Sequence, residues 1–426
     1  MIKGLCHLLV LMLFFCRTLA AQPLAGRTQP DNVEALQRSA QQLLDEYVKV
    51  AVEKSPTLSA LRAKHTSARE LVGPAGALPD PMVGIMYQSM GPPWQPMPPM
   101  SMVQGEISQV IPGVGKRQAR RNVAEAEAEM RNADVGATRA RIAAEVRSLF
   151  AQVYASDREQ QANESASELI NVMVGAVTGQ FASGRVDQEA LAKVEFERSK
   201  LMEQLLDIKT NRSVLVARLN RLMVRPRNAT IPRLDALPEV VFDFGRLGED
   251  AMAKTPELRV QRAAIAAAGR RRENAETETH PNFLVGVAGG ATTTGEPIVT
   301  LRFGMELPIW RSSKQDPLIR AARIDIEATE SEYHAMELRL KSEVEEALAR
   351  FKRDSEQVKL YREAIIPSAT LALQAARNAY STGRADFATV IEDFRIWLDA
   401  QVGLSRREAD RLMTWAELRA LTDHAH

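Results

Sequence analysis

Three short segments of this chain return about 200 residues later, in the same order. Ser55-Pro56-Thr57-Leu58 is answered by Thr255-Pro256-Glu257-Leu258, and Asp80-Pro81-Met82-Val83-Gly84 by His280-Pro281-Asn282-Phe283-Leu284. Gln180-Phe181-Ala182-Ser183-Gly184-Arg185-Val186-Asp187 is answered by Ala379-Tyr380-Ser381-Thr382-Gly383-Arg384-Ala385-Asp386. The period is too long for a solenoid unit, so the chain reads as an internal duplication. Each half runs through a short helix, two alternating strands, a very long helix, a turn and a second long helix.

The long helices set the architecture. Residues 117–179 contain no proline, and Ile142, Val146, Leu149, Val153 and Tyr154 fall on one helical face. Leu201, Leu205, Ile208, Leu215, Leu219 and Leu222 keep the three-four alternation of a coiled-coil seam, with Arg212 in one stripe position. The second half repeats the pair, with Val344, Leu348, Phe351, Val358, Tyr361 and Ile365 mostly along one face and Pro367 predicting a bend or break. A helix of about 60 residues runs ~90 Å, which demands an elongated molecule. Alanines on the other faces (Ala124, Ala126, Ala128; Ala372, Ala375, Ala376, Ala379) permit close approach on more than one side, as a sheet of helices closing into a tube requires. A dimeric coiled coil with solvated outer faces is the alternative.

The strands argue for the tube. Val83, Ile85 and Tyr87, Val103 and Ile107, and Val299, Leu301, Phe303 and Met305 alternate with Gly84, Met86, Gln88, Gln104, Glu106, Ser108, Thr300, Arg302 and Glu306, while the fourth segment, Phe283 to Ala291, is Gly- and Ala-rich and alternates less cleanly. Each run has the length of one tilted pass through an outer-membrane bilayer, with an apolar-out, polar-in dyad. Gln104, Glu106, Arg302 and Glu306 are the residues expected to face a water-filled lumen. Four strands cannot close a membrane barrel, for which ~8 is the minimum. The chain must therefore oligomerise: two copies give eight strands and three give twelve.

The ends and the composition exclude several classes. Residues 1–21 read as a secretory signal peptide, with Lys3 as the positive region and an apolar run too short to span a bilayer. Both cysteines, Cys6 and Cys16, fall inside it. Phe14 and Phe15 stand before Cys16 where lipidation wants small residues. The mature chain then uses neither disulfides nor thiolate chemistry. A net charge of +1 gives no electrostatic basis for nucleic-acid binding. The histidines are scattered except His424-x-His426 at the terminus, no nucleophile, base and acid converge, and neither a catalytic site, a metal site nor a cofactor is expected. Met82, Met86, Met90, Met97, Met100 and Met102 cluster around the first hairpin, facing lipid or the loop interior in the plainer reading, though thioethers suit soft Cu(I) or Ag(I).

Residues 75–81 (Ala-Gly-Ala-Leu-Pro-Asp-Pro), 109–117 (Gln-Val-Ile-Pro-Gly-Val-Gly-Lys-Arg) and 380–384 (Tyr-Ser-Thr-Gly-Arg), followed by Asp386 and Glu392, resemble the TolC family of outer membrane efflux proteins over about residues 40–421. The fold implied is mostly α with a small β part: an internally duplicated protomer whose long helical hairpins form an α-barrel. Its four strands would contribute to a trimeric twelve-stranded transmembrane β-barrel. On that plan 22–50 is an N-terminal segment and 51–225 the first repeat, with strands at about 82–90 and 102–111 and helices at about 115–179 and 187–224. A linker in the equatorial region occupies 226–250. The second repeat is 251–421, with strands at about 283–291 and 298–307 and helices at about 314–380 and 386–421; 422–426 is a tail.

The resemblance implies a homotrimeric exit duct in the outer membrane lipid, working with a periplasmic adaptor and an inner membrane pump of the resistance-nodulation-division type, or with a type I secretion system. Segments 78–81 and 112–117 look most like the branch serving heavy-metal cations. It also makes the helix-to-helix turns, with Phe181, Gly184, Arg185, Tyr380, Gly383 and Arg384, the tips where an adaptor docks. Glu392, with Asp386 and Asp393 nearby, matches the acidic residue at the periplasmic aperture. A different class, a periplasmic coiled-coil adaptor or scaffold without a membrane barrel, shares the helical hairpins but not the duplicated strand pairs.

Overall fold

The computed structural model describes residues 30–89, 101–240 and 255–422. The expected signal peptide with Cys6 and Cys16, the methionines Met90, Met97 and Met100, and the His424–His426 pair lie outside those residues.

The chain opens with α1 (Pro30–Lys54), α2 (Pro56–Glu70) and the single turn α3 (Val72–Ala75). Strands β1 (Met82–Gln88) and β2 (Met102–Ile111) follow, then α4 (Lys116–Ala182) and α5 (Gln188–Leu222). The second half repeats the series with α6 (Pro256–Thr277), β3 (Asn282–Thr292), β4 (Pro297–Glu306), α7 (Gln315–Leu360), α8 (Ile366–Ser381) and α9 (Phe387–Thr422). The repeated Ser/Thr-Pro-x-Leu segments start α2 and α6. Proline takes the first helical position, where its missing N–H costs nothing, and Leu58 and Leu258 are buried one turn in. The Leu58 N–H donates to Ser55 Oγ at 3.3 Å, a side-chain cap that Thr255 does not reproduce.

At 67 residues, α4 is the longest element and runs about 100 Å. It packs against α5 and α9 towards the turns, and against α2 and α6 towards the strands. α7 packs against α9 below and α6 above, whereas α5 and α9 barely touch. The helices therefore form one layer, ordered α2–α4–α6–α7 near the sheet and α5–α4–α9–α7/α8 near the turns. The expected face of α4 is buried in a core with Leu44, Tyr47, Leu215, Leu219 and Leu412. A second core at the turns joins Ile170, Val177 and Leu201 to Leu373, Phe387 and Phe394. Arg212, the polar interruption of the α5 seam, reaches buried Asp157 at 2.5 Å, and the same carboxylate accepts the Leu234 N–H at 3.0 Å. The break in the stripe ties the two long helices to the following segment.

The break expected at Pro367 is a π-helical turn, Tyr361–Ile365, between α7 and α8. Proline supplies no N–H to the residue four back, and one inserted residue relieves the clash with that carbonyl. The turn seats Tyr361 against Gly403: a Cβ there would stand 2.6 Å from Tyr361 Cε1. It also aims Arg362 at buried Glu408, whose other oxygen accepts the Tyr154 hydroxyl at 2.5 Å. Burial, reinforced by the Glu408 charge, pushes the Tyr154 phenol far above its usual range.

All four strands form one antiparallel sheet in the order β1-β2-β3-β4. The central pair joins the two halves, from Met102 opposite Thr292 to Ile111 opposite Phe283. β1 and β4 are its two open edges.

Candidate functional site

The strand register sorts the sheet into two chemically distinct faces. One carries Val83, Ile85, Tyr87, Val103, Ile107, Val287, Val299, Leu301, Phe303 and Met305. These are solvent-exposed, Ile85 to 84% and Phe303 to 77%. Large apolar side chains standing together in the open mark a surface that needs a partner or a lipid phase. Gln104, Glu106, Ser108, Thr300, Arg302 and Glu306 share the other face. There Arg302 Nη1 meets Glu106 Oε1 at 2.8 Å and Gln104 Nε2 meets Thr300 Oγ1 at 3.2 Å, each pair reaching across β3. Gly286, Ala288 and Gly290 of β3 lie beneath these bridges. A Cβ at Gly290 would come within 1.9 Å of the Val103 carbonyl oxygen. The Gly/Ala bias of β3, which blurs its alternation in sequence, is what lets the polar pairs span the strand.

The methionines of the first hairpin require a correction. Met82 and Met86 pair with Ser108 and Gln104, and Met102 with Gln88. They therefore lie on the polar face and not on the exposed apolar one, as the alternation of Met86 with Ile85 and Tyr87 implies and the register with β2 shows. Gln104 Nε2 approaches Met102 Sδ at 3.4 Å, and Arg302 Nη2 approaches Met86 Sδ at 3.9 Å.

Where the sheet meets the helices, residues 112–117 form a fixed junction. Asn282 Oδ1 accepts the Gly113 N–H at 3.1 Å and Lys116 Nζ at 3.0 Å, while buried Lys116 also pairs with Glu278 at 3.1 Å. Asn282 in turn donates to Glu306 at 2.8 Å. Gly115 sits at φ 85°, and a Cβ at Gly113 would lie 2.4 Å from the Pro281 carbonyl oxygen. These contacts give the Pro-Gly-x-Gly-Lys segment a structural role that no spacing in the sequence announces, since its partners lie more than 160 residues away.

At the other end the two helix-to-helix turns stand side by side. Gly184 at φ 70° and Gly383 at φ 69° each close a Schellman turn, with Arg185 N–H on Gln180 O at 2.9 Å and Arg384 N–H on Ala379 O at 2.8 Å. The Tyr380 hydroxyl donates to Gln180 Oε1 at 2.5 Å, joining the turns, and its ring packs edge-on against Phe387 at 5.6 Å. Phe181 is 41% exposed. Between the turns lies an open cleft of about 670 Å³, lined by residues of both, Arg185, Lys193, Gly383 and Asp386 among them.

Of the carboxylates expected at an aperture, Asp386 is the N-terminal cap of α9. It accepts from Thr389 N–H at 2.9 Å and Oγ1 at 2.6 Å, and the hydroxyl bond, then the amide bond, hold its pKa below the usual value. Glu392 is exposed and Asp393 half-buried on the next turn of the same helix. Sequence reasoning missed the Arg395–Glu197 pair, which ties the two hairpins just behind the turns.

Among the described residues no group of three or more His, Cys, Asp or Glu could hold a metal ion, and no helix is long and apolar enough to cross a membrane. Comparison with curated protein sequences finds no match. Residues 247–424 match the family described as Outer membrane efflux protein. Among solved structures, the outer membrane protein VceC of Vibrio cholerae is 16% identical with a TM-score of 0.77, covering 91% of this chain and 98% of its own. CusC, whose structures concern folding and transmembrane channel formation, gives 14% and 0.79, over 90% of this chain and 92% of its own. The CmeC outer membrane channel of Campylobacter jejuni gives 14% and 0.77, over 89% and 85%. Proteins of this family are passive channels, not enzymes, seated in the outer membrane and reaching into the periplasm. The resemblance to the TolC family read from short segments thus agrees with the family match over residues 247–424 and with a fold that the chain shares, over about nine-tenths of its length, with these outer membrane proteins.

Proposed function

We propose that the chain is the outer-membrane exit duct of a tripartite efflux machine, passively conducting what an inner membrane pump and a periplasmic adaptor deliver. The observation that carries this reading is the two-faced sheet with two open edges: exposed apolar side chains on one face, paired polar ones on the other, and unpaired β1 and β4. Edges of this kind are satisfied by closure, and three protomers supply about twelve strands, within the range of membrane barrels. Gln104, Glu106, Arg302 and Glu306 then line the lumen. The turns, with Phe181, Gly184, Arg185, Tyr380, Gly383 and Arg384, form the adaptor-docking tip, and the pump is of the resistance-nodulation-division type. Glu392 supplies a ring of three carboxylates at the aperture, with Asp393 behind it and Asp386 fixing the helix that carries it. Heavy-metal cations are the favoured cargo, because the thioethers of Met82, Met86 and Met102 share the polar face and suit soft cations.

Membrane fractionation and electrophoresis test the reading. The protein should fractionate with the outer membrane and migrate as a heat-modifiable trimer; a water-soluble monomer would overturn it.

A further inference from the structure

Each hairpin leaves the sheet through the same succession of side chains. β2 ends on Ile111 and is followed by Pro112 and Val114, and β4 is followed by Leu307-Pro308, Ile309 and Trp310. Val114 is 82% exposed, Ile309 70% and Trp310 71%, standing just past the last paired residues of the sheet. Basic residues follow at once: Lys116, Arg117, Arg120 and Arg121 in one half, Arg311, Lys314, Arg320 and Arg323 in the other. Over 116–124 there is no acid, and over 311–323 only Asp316.

Local helix energetics do not explain that charge. Lys116, Arg117, Arg120 and Arg121 occupy the opening turns of α4, and Arg320 and Arg323 those of α7 with Arg311 and Lys314 just before it, where the helix dipole favours acids and opposes bases; α4 has no acid in its first turn. Internal pairing accounts for part of it. Lys116 and Arg120 hold Glu278, Arg121 holds Glu125 at 2.9 Å, Arg311 holds Asp316 at 2.8 Å, and Arg323 approaches Glu276 at 3.8 Å. Arg117, Lys314 and Arg320 have no carboxylate partner among the described residues, and all three are exposed. A groove of about 400 Å³ opens at the end of α6, lined by Arg311, Arg320 and Arg323 together with Glu276 and Asp316.

We propose that residues 114–121 and 307–323 form a collar that binds anionic phospholipid headgroups of the leaflet facing the periplasm. The inference rests on the channel reading, which places this end of the sheet at that leaflet. An interfacial tryptophan belongs at headgroup depth, and a juxtamembrane basic cluster selects anionic lipid. Arginine pairs with a phosphate through two parallel hydrogen bonds. The duplication puts the arrangement in both halves, so a trimer carries it about six times around the barrel, which suits a ring of many small headgroups.

Tryptophan quenching in reconstituted vesicles tests this. The full-length trimer carrying Trp94→Phe leaves Trp310 as the reporter at the sheet end, since Trp397 and Trp415 pack in the helical clusters. It is placed in phosphatidylcholine vesicles containing either dibrominated phosphatidylglycerol or dibrominated phosphatidylcholine, with Trp310→Phe identifying the signal. Phosphatidylglycerol should quench Trp310 with an apparent association constant on the order of threefold to tenfold higher, and 0.5 M salt should narrow the gap because exposed charges are screened. Arg117→Gln/Lys314→Gln/Arg320→Gln should bring the ratio to about one while quenching by the neutral lipid persists; the milder Lys314→Gln/Arg320→Gln pair gives an intermediate ratio if the triple variant fails to trimerise. Equal quenching of the unsubstituted protein by both lipids, or a preference that survives the substitutions, overturns the collar. No quenching by either lipid overturns the channel reading instead.

Discussion

Single residues carry the joints of this molecule, and the sharpest is Asp157. Its buried carboxylate holds Arg212 and the Leu234 N–H, so removing one partner strands a charge in the interior. Arg212→Ala is expected to destabilise the protomer by about 3–5 kcal/mol, read as a fall in the urea midpoint; a loss under about 1 kcal/mol would mean that water reaches the carboxylate. Asp386 gives a prediction of the opposite kind. Its pKa is lowered in the fold by the Thr389 bonds, so its cap is fully present above the unfolded carboxylate value and is lost as pH falls through the lower folded one. Amide exchange in the first turn of α9 should therefore quicken at acidic pH, and Asp386→Ala should show the faster exchange already at neutral pH. Glu392→Ala should raise conductance in planar bilayers and weaken block by multivalent cations; unchanged currents would place that carboxylate away from the pore. The sequence had no means of announcing Asp157–Arg212, Glu197–Arg395 or Lys116–Glu278 as pairs. Each joins residues on different elements at separations no local period encodes, although Arg212 standing in an apolar stripe was a visible irregularity.

Elements were far more legible, because their periods are local. The α5 seam and the buried face of α4 follow from 3.6-residue spacing, and the apolar faces of β2 and β4 from two-residue alternation. β1 alternates too, but Met82 and Met86 on its polar side are themselves apolar, and the partner strand shows them set beside Ser108 and Gln104. β3 looked weak for a reason that lies in its neighbours: small residues there make room for the bridges from Glu106 to Arg302 and from Gln104 to Thr300. The helix break came from proline chemistry, but its form as a π-turn and its seat against Gly403 came from packing. Gly403→Ala drives a methyl group into Tyr361 and should cost about 1–3 kcal/mol, measured as a lowered melting temperature. Tyr361→Ala in the same background should recover part of that loss; no recovery would locate the strain elsewhere.

The whole molecule is a continuous wall whose membership changes half-way. Short α2 and α6 give way to α5 and α9, while α4 runs unbroken from the sheet to the turns. The duplication visible in sequence therefore specifies two similar panels, and the register of β2 on β3 shows how they are stitched at one end. The turns stitch them at the other, through Tyr380 and Gln180.

The π-turn makes those two panels mechanically different. The first is spanned by a strut, a single uninterrupted helix that carries rotation from one end to the other with little loss. The second has a compliant segment at 361–365, where a spare residue can be taken up or released and the ladder of hydrogen bonds is already out of step. A torque applied at the turns would be transmitted by one panel and absorbed by the other. Spin-label distances across the two turns are thus expected to broaden on the side of α8 and α9, and replacing Pro367 with Ala, which lets the ladder re-form, should narrow them.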